Sequence, residues 1–137
     1  MFLFKIKTYA FIGPSGTGKS YRAQYVASER GIKYIIDDGL LIKESQVIAG
    51  VSAKKAPTKI ETVKNALFLT EDKKIEIQKA IKKYRPDSIL ILGTSDGMVD
   101  KIAANLGLPP IAERIYINEV ATQEEMDTAR RIRVTQG

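Results

Sequence analysis

Residues 13–20 read GPSGTGKS and follow directly on the apolar run from Tyr9 to Ile12. Their types and spacing suit the binding of phosphate groups. Gly13 and Gly16 let the backbone curl so that its N–H groups point inward as a nest for phosphate oxygens. Pro14 and Ser15 fill the arc between them, Thr17 continues it, and Gly18 lets the chain enter a helix close to the ligand. That helix start adds unpaired N–H donors and the positive end of its dipole. Lys19 would reach the terminal phosphates as a point charge, and Ser20 would offer its hydroxyl to a magnesium ion. The plainer alternative is a Gly/Ser turn between a strand and a helix.

The chain contains no cysteine and no histidine. Disulfides, thiolate nucleophiles, Cys/His zinc sites and imidazole bases are therefore excluded together. A metal would have to be a hard cation held by hydroxyl, carboxylate, phosphate and water oxygens, which points to Mg²⁺. With Gly13, Gly18, Lys19 and Ser20 in register with G-x-x-x-x-G-K-[ST], the chain resembles the P-loop NTPase superfamily. Residues 13–20 stand where those proteins carry Walker A. The resemblance implies a nucleoside triphosphate, most often ATP, bound with Mg²⁺ through Gly13 to Ser20. It covers the first strand, loop and helix. No N-K-x-D guanine-reading motif occurs.

The acids are less clear. The family's second acidic element ends a buried strand, and the most apolar strand here ends ILILGTSD. Gly93 stands where an Asp is expected and Asp96 follows three residues later. Asp96 could face the γ-phosphate from the carboxyl end of a sheet, or Thr94 to Asp96 could simply turn the chain and cap a helix. Asp37 and Asp38, which end KYIIDD, resemble the second-strand acids of P-loop kinases that act on small molecules. Those acids orient or deprotonate an acceptor hydroxyl, or steady Mg²⁺ through water. Neighbouring strand residues face opposite ways, so one of the two is expected to point at the site. An Asp-Asp-Gly turn between a strand and a helix accounts for the same residues. Arg130, Arg131 and Arg133 stand where such kinases carry lid arginines, and they also complement the dipole of a helix end. Lys54, Lys55, Thr58 and Lys59 lie in a loop that could grip a second anion or merely keep the loop solvated.

Elements positioning these groups are legible from hydrophobic patterning. Strands are expected within Phe2 to Ile12, at Lys33 to Ile36, Ser88 to Leu92 and Arg114 to Ile117. The uniformly apolar third run suits a strand covered on both faces of a parallel sheet. Helices are expected over Gly18 to Arg30, Glu71 to Tyr84, Gly97 to Leu106 and Thr122 to Arg131, with Gly31 and Gly107 as stop signals and Thr70 as an N-cap. An irregular, mobile loop is expected from about Ile48 to Thr58. Strand and helix alternate, so the expected fold is α/β: a three-layer α/β/α sandwich with a mostly parallel central sheet.

At 137 residues the chain fits one domain. The ending RRIRVTQG reads either as the cut end of an N-terminal nucleotide-binding domain, residues 1–137, of a longer protein, or as the frayed tail of a short one. No apolar stretch reaches the ~20 residues that span a bilayer. Lys5 and Lys7 interrupt the apolar N-terminus, which reads as a buried strand rather than a signal peptide, in a cytoplasmic protein. The net charge is +6, and residues 54–85 hold ten Lys/Arg against four Asp/Glu. A basic middle suits a nucleotide, an acidic partner or a solvated helix face. Its lysines lack interleaved aromatics, so direct nucleic-acid binding ranks low. The leading expectation is an ATPase or ATP-switched module that works with a protein partner or a further C-terminal domain. A small-molecule kinase and a non-catalytic nucleotide-binding interaction domain are the alternatives.

Overall fold

A computed structural model describes residues 4–51, 59–68 and 70–120. Its strands are β1 (Lys7–Ile12), β2 (Tyr34–Asp37), β3 (Leu40–Lys43), β4 (Gln46–Gly50), β5 (Ser88–Gly93) and β6 (Glu113–Tyr116). Its helices are α1 (Lys19–Glu29), α2 (Lys59–Ala66), α3 (Glu71–Tyr84) and α4 (Asp96–Leu106), and a 3₁₀ turn follows β6 at Ile117–Glu119. The fold is α/β, built on one sheet in the order β4-β3-β2-β5-β1-β6.

Four of these strands, β2, β5, β1 and β6, run parallel. They bring the carboxyl ends at Asp37, Gly93, Ile12 and Tyr116 to one edge of the sheet. The apolar strand β5 lies between β2 and β1, and its residues Ile89 to Gly93 are buried. Side-chain alternation divides the core into two layers. On one face Phe11, Ile35, Leu90, Leu92 and Ile115 pack against Ala23, Val26 and Ala27 of α1. On the other, Ala10, Ile36, Ile89 and Ile91 meet Ile77 and Ile81 of α3 and Val99, Ile102 and Leu106 of α4.

Two antiparallel strands make the sheet mixed, a departure from the expected four-strand pattern. Asp37 pairs with Leu40 across a two-residue turn whose residues, Asp38 and Gly39, have φ of 53° and 84°. Two positive φ values mark the type I′ turn, whose twist matches that of a hairpin and which favours Asp-Gly. Asp37-Asp38-Gly39 therefore joins two strands rather than a strand and a helix. A second such turn, Glu44 and Ser45 with φ of 48° and 74°, joins β3 to β4. Strand β4 thus occupies the first part of the segment expected to be an irregular loop. It is tied to α3 by a hydrogen bond from the Gly50 N–H to Glu76 Oε1 at 3.0 Å. Helix α2 was not expected, because the lysines and Pro57 around it hide its short apolar pattern.

The other helix ends follow the expected chemistry in part. Ser95 caps α4, its Oγ accepting the Met98 N–H at 3.2 Å, and Gly107 ends that helix with φ of 77°. Thr70 precedes α3 in extended conformation but makes no side-chain cap, and its hydroxyl is buried without a partner among the described groups. The helix expected over Thr122 to Arg131 lies outside the described residues. No helix among the described residues is long and apolar enough to cross a membrane.

Candidate functional site

Residues 13–20 leave the buried central strand β1 and curl into the first turn of α1 at the carboxyl edge of the sheet. Gly13 is anchored by its N–H, which donates to the Gly93 carbonyl at 3.1 Å. A side chain here would collide with the strand-end residue Ile117, since a Cβ on Gly13 would lie 2.5 Å from Ile117 Cγ2. Gly16 and Gly18 have φ of 76° and 87°, a region that L side chains seldom enter. The loop closes on the Pro14 carbonyl, which accepts the Thr17 hydroxyl at 2.7 Å and Lys19 Nζ at 3.3 Å. Thr17 is buried as part of this closure, while Pro14 and Ser15 are exposed.

The N-terminus of α1 is unusual in this protein. Its N-cap is Gly18, which has no side chain with which to satisfy the first N–H groups, and its first turn carries no acid. Lys19 instead puts a positive charge at the positive end of the helix dipole. Helix α3, by contrast, has Glu71 and Asp72 in its first turn and Lys82 and Lys83 in its last.

Ser20 Oγ donates to Asp37 Oδ2 at 2.8 Å. Strand β2 lies two places from β1, beyond β5, so α1 must cross β5 to bring these side chains together. Asp37 is on the α1 side of the sheet because Ile35, two residues earlier, packs in the α1 layer. The next residue, Asp38, belongs to the hairpin turn at positive φ. Asp37 is the acid whose carboxylate accepts the Ser20 hydroxyl.

Asp96 is held elsewhere. Its Oδ1 accepts Arg114 Nη1 at 2.9 Å and the Tyr116 hydroxyl at 2.8 Å. Arg114 Nη2 donates to Asp100 Oδ1 at 2.6 Å, so the guanidinium bridges two carboxylates one helical turn apart. The hydrogen bond to Asp100, and then the charges of both acids, hold the Arg114 pKa above its ordinary value despite partial desolvation. The hydrogen bond to Asp96 likewise raises the phenol pKa of Tyr116. This network straps α4 to β6 across the end of β1. At Gly93, where an acid was looked for, a Cβ would lie 2.6 Å from Val99 Cγ1. The tight packing of α4 on β5 leaves that position no room for a carboxylate.

Ser20 and Asp37 supply a hydroxyl and a carboxylate oxygen, a donor pair suited to a hard divalent cation such as Mg²⁺. No group of three or more acids among the described residues could hold a metal by itself. A cation here would complete its shell with phosphate oxygens and water, as Mg²⁺ ordinarily does. Lys54, Lys55, Thr58, Arg130, Arg131 and Arg133 lie outside the described residues, as does the side chain of Lys59.

Three contributors have no sequence signal of their own. Ile117 has the pattern of a strand end, yet it packs over Gly13. Arg114 and Tyr116, the partners of Asp96, become visible only once β6 is known to lie beside β1. No family model, curated protein or solved structure matches the chain, so its residues and geometry alone carry the functional reading.

Proposed function

We propose that this chain is a P-loop domain that binds ATP with Mg²⁺ at Gly13 to Ser20 and acts as an ATPase or ATP-switched module. The observation that carries this reading is the Ser20–Asp37 hydrogen bond at the mouth of the glycine loop. It pairs the hydroxyl of the G-K-S segment with an acid from the end of a parallel strand, although the usual strand position holds Gly93. The start of α1 supports the same reading, because its N-cap Gly18 offers no side-chain acceptor and an anion there would meet the first N–H groups.

In this proposal the loop N–H groups and Lys19 bind the phosphates, while Ser20 and Asp37 hold the cation directly or through water. Bound Mg²⁺ would neutralise charge on the phosphate oxygens as the terminal phosphoryl group leaves. Asp37 is assigned to the metal because its carboxylate sits on the Ser20 hydroxyl, the group that would itself ligate Mg²⁺. That assignment favours the ATPase or switch over a small-molecule kinase. Asp96 is a structural acid bound to Arg114 and Tyr116.

Thermal unfolding with and without MgATP tests the proposal. Ligand at one hundred times its Kd should stabilise the native state by about 2.7 kcal/mol, raising Tm by roughly 10 °C. Lys19→Ala should abolish the rise. An unchanged wild-type Tm across millimolar ATP and Mg²⁺ would overturn the reading. Phosphate release without an added acceptor separates hydrolysis from binding alone, and ADP formation only with an acceptor would favour a kinase.

A further inference from the structure

Helix α1 buries Ala23, Val26 and Ala27 against the sheet and turns two tyrosines away from it. Tyr21 is 86% exposed and Tyr25, one turn later, is 62% exposed. Isolated exposed aromatics are ordinary on a protein surface and need no explanation. Tyr21 differs by its place, immediately after Ser20 in the first turn beside the glycine loop. At 100° per residue it points almost directly opposite the buried stripe, so its ring packs on no sheet or helix among the described residues. A helical Cα–Cβ bond tilts toward the N-terminus, so the side chain leans back over Thr17 and Gly18.

We propose that Tyr21 is the stacking platform for the nucleobase of the bound nucleotide. This inference rests on the reading of residues 13–20 as the phosphate site and adds what lies at the other end of the ligand. With the terminal phosphates at Lys19 and Ser20, the chain of phosphates runs outward past the first turn of α1. The flat, apolar base is then delivered to the solvent side of that turn, where Tyr21 presents an aromatic face. Stacking removes both faces from water and leaves the phenol hydroxyl solvated, which suits a tyrosine that is otherwise exposed. Tyr25 lies about 6 Å further along the axis, at 1.5 Å per residue. It shares Tyr21's chemistry but leans back only over Tyr21 and Arg22, one turn short of the loop.

Three ligands separate this proposal from the reading beneath it: ATP, GTP and inorganic triphosphate, each with Mg²⁺, titrated calorimetrically into the full chain. Tyr21→Ala should weaken ATP and GTP by roughly ten- to a hundredfold, the usual range for losing one base–aromatic stack. Triphosphate affinity should stay at the wild-type value, which also shows that the variant is folded. Tyr21→Phe should keep ATP affinity within about twofold, since the ring carries the contact. Tyr25→Ala, the control one turn away, should bind all three ligands like the wild type. Equal ATP affinity in Tyr21→Ala and the wild type would overturn the stacking role while leaving the phosphate site intact. So would an equal loss for ATP and triphosphate, or a loss confined to Tyr25→Ala. Failure of the wild type to bind even triphosphate would instead overturn the phosphate reading, and the inference with it.

Discussion

Asp37 and Asp96 are both aspartates at the carboxyl edge of the sheet, and their partners give them different work. Asp37 accepts from Ser20, whereas Asp96 is engaged by a guanidinium and a phenol. Asp37→Asn should therefore reduce the Mg²⁺-dependent part of the ATP-induced rise in Tm by at least half, with little effect on Tm in its absence. Asp96→Asn should lower Tm without ligand by several degrees and leave the Mg²⁺ dependence of binding as it was. Equal Mg²⁺ dependence in wild type and Asp37→Asn would remove that residue from the metal site. Tyr116 gives a pH signature. Its phenol donates to Asp96 and so keeps its proton beyond the ordinary pKa of about 10. A raised folded-state pKa contributes stability that is complete below the unfolded value and is lost as pH rises through the folded one. The Tm advantage of wild type over Tyr116→Phe should be constant up to about pH 9 and shrink steadily above about pH 10. An advantage that grew with alkalinity would contradict the hydrogen bond. Sequence spacing made the loop legible, because Gly13, Gly18, Lys19 and Ser20 act locally. Choosing between the acids required knowing which strand ends are neighbours, and that is a property of the assembled sheet.

Among the elements, the β2-β3-β4 meander was the least legible. Its first turn contains Asp38-Gly39, a strong hairpin signal, but the segment between the turns is only four residues long. Its second turn places Glu44 and Ser45, neither of them glycine, at positive φ. Tertiary packing evidently holds that turn, with Lys43 Nζ 5.6 Å from the centre of the Tyr34 ring and 5.5 Å from that of Tyr84. A non-glycine residue in this conformation costs on the order of 1 kcal/mol. Ser45→Gly should therefore raise Tm by a few degrees, corresponding to roughly 0.5–1 kcal/mol, even though it adds no contact. A fall in Tm would show that the serine side chain makes a compensating interaction. The strands β1, β2 and β5 were legible because each has a buried apolar run, β6 through the short Ile115-Tyr116-Ile117 pattern, and α1, α3 and α4 because punctuation marks their ends. Helix α2 has neither feature.

For the whole molecule, the decisive arrangement is that β1 is flanked on both sides by strands from far along the chain. Lys7 pairs with Ser88 and Tyr9 with Glu113, while the β2-β3-β4 meander closes through neighbouring residues. Local pairings form quickly and long-range parallel ones slowly. The glycine loop depends on the slow set, since Gly13 bonds to Gly93 and lies beneath Ile117. During synthesis the loop leaves the ribosome before its supports, which follow about 80 and 100 residues later, some 4–20 s at typical elongation rates. Until then the nascent chain holds an intact motif with nothing to shape it. Ribosome-bound chains stalled before Ser88 has emerged should fail to retain a nucleotide, and those in which Ile117 has cleared the exit tunnel should retain it. Nucleotide capture would then mark the closing of β5 and β6 on β1, so that the loop becomes competent only after strands made long after it.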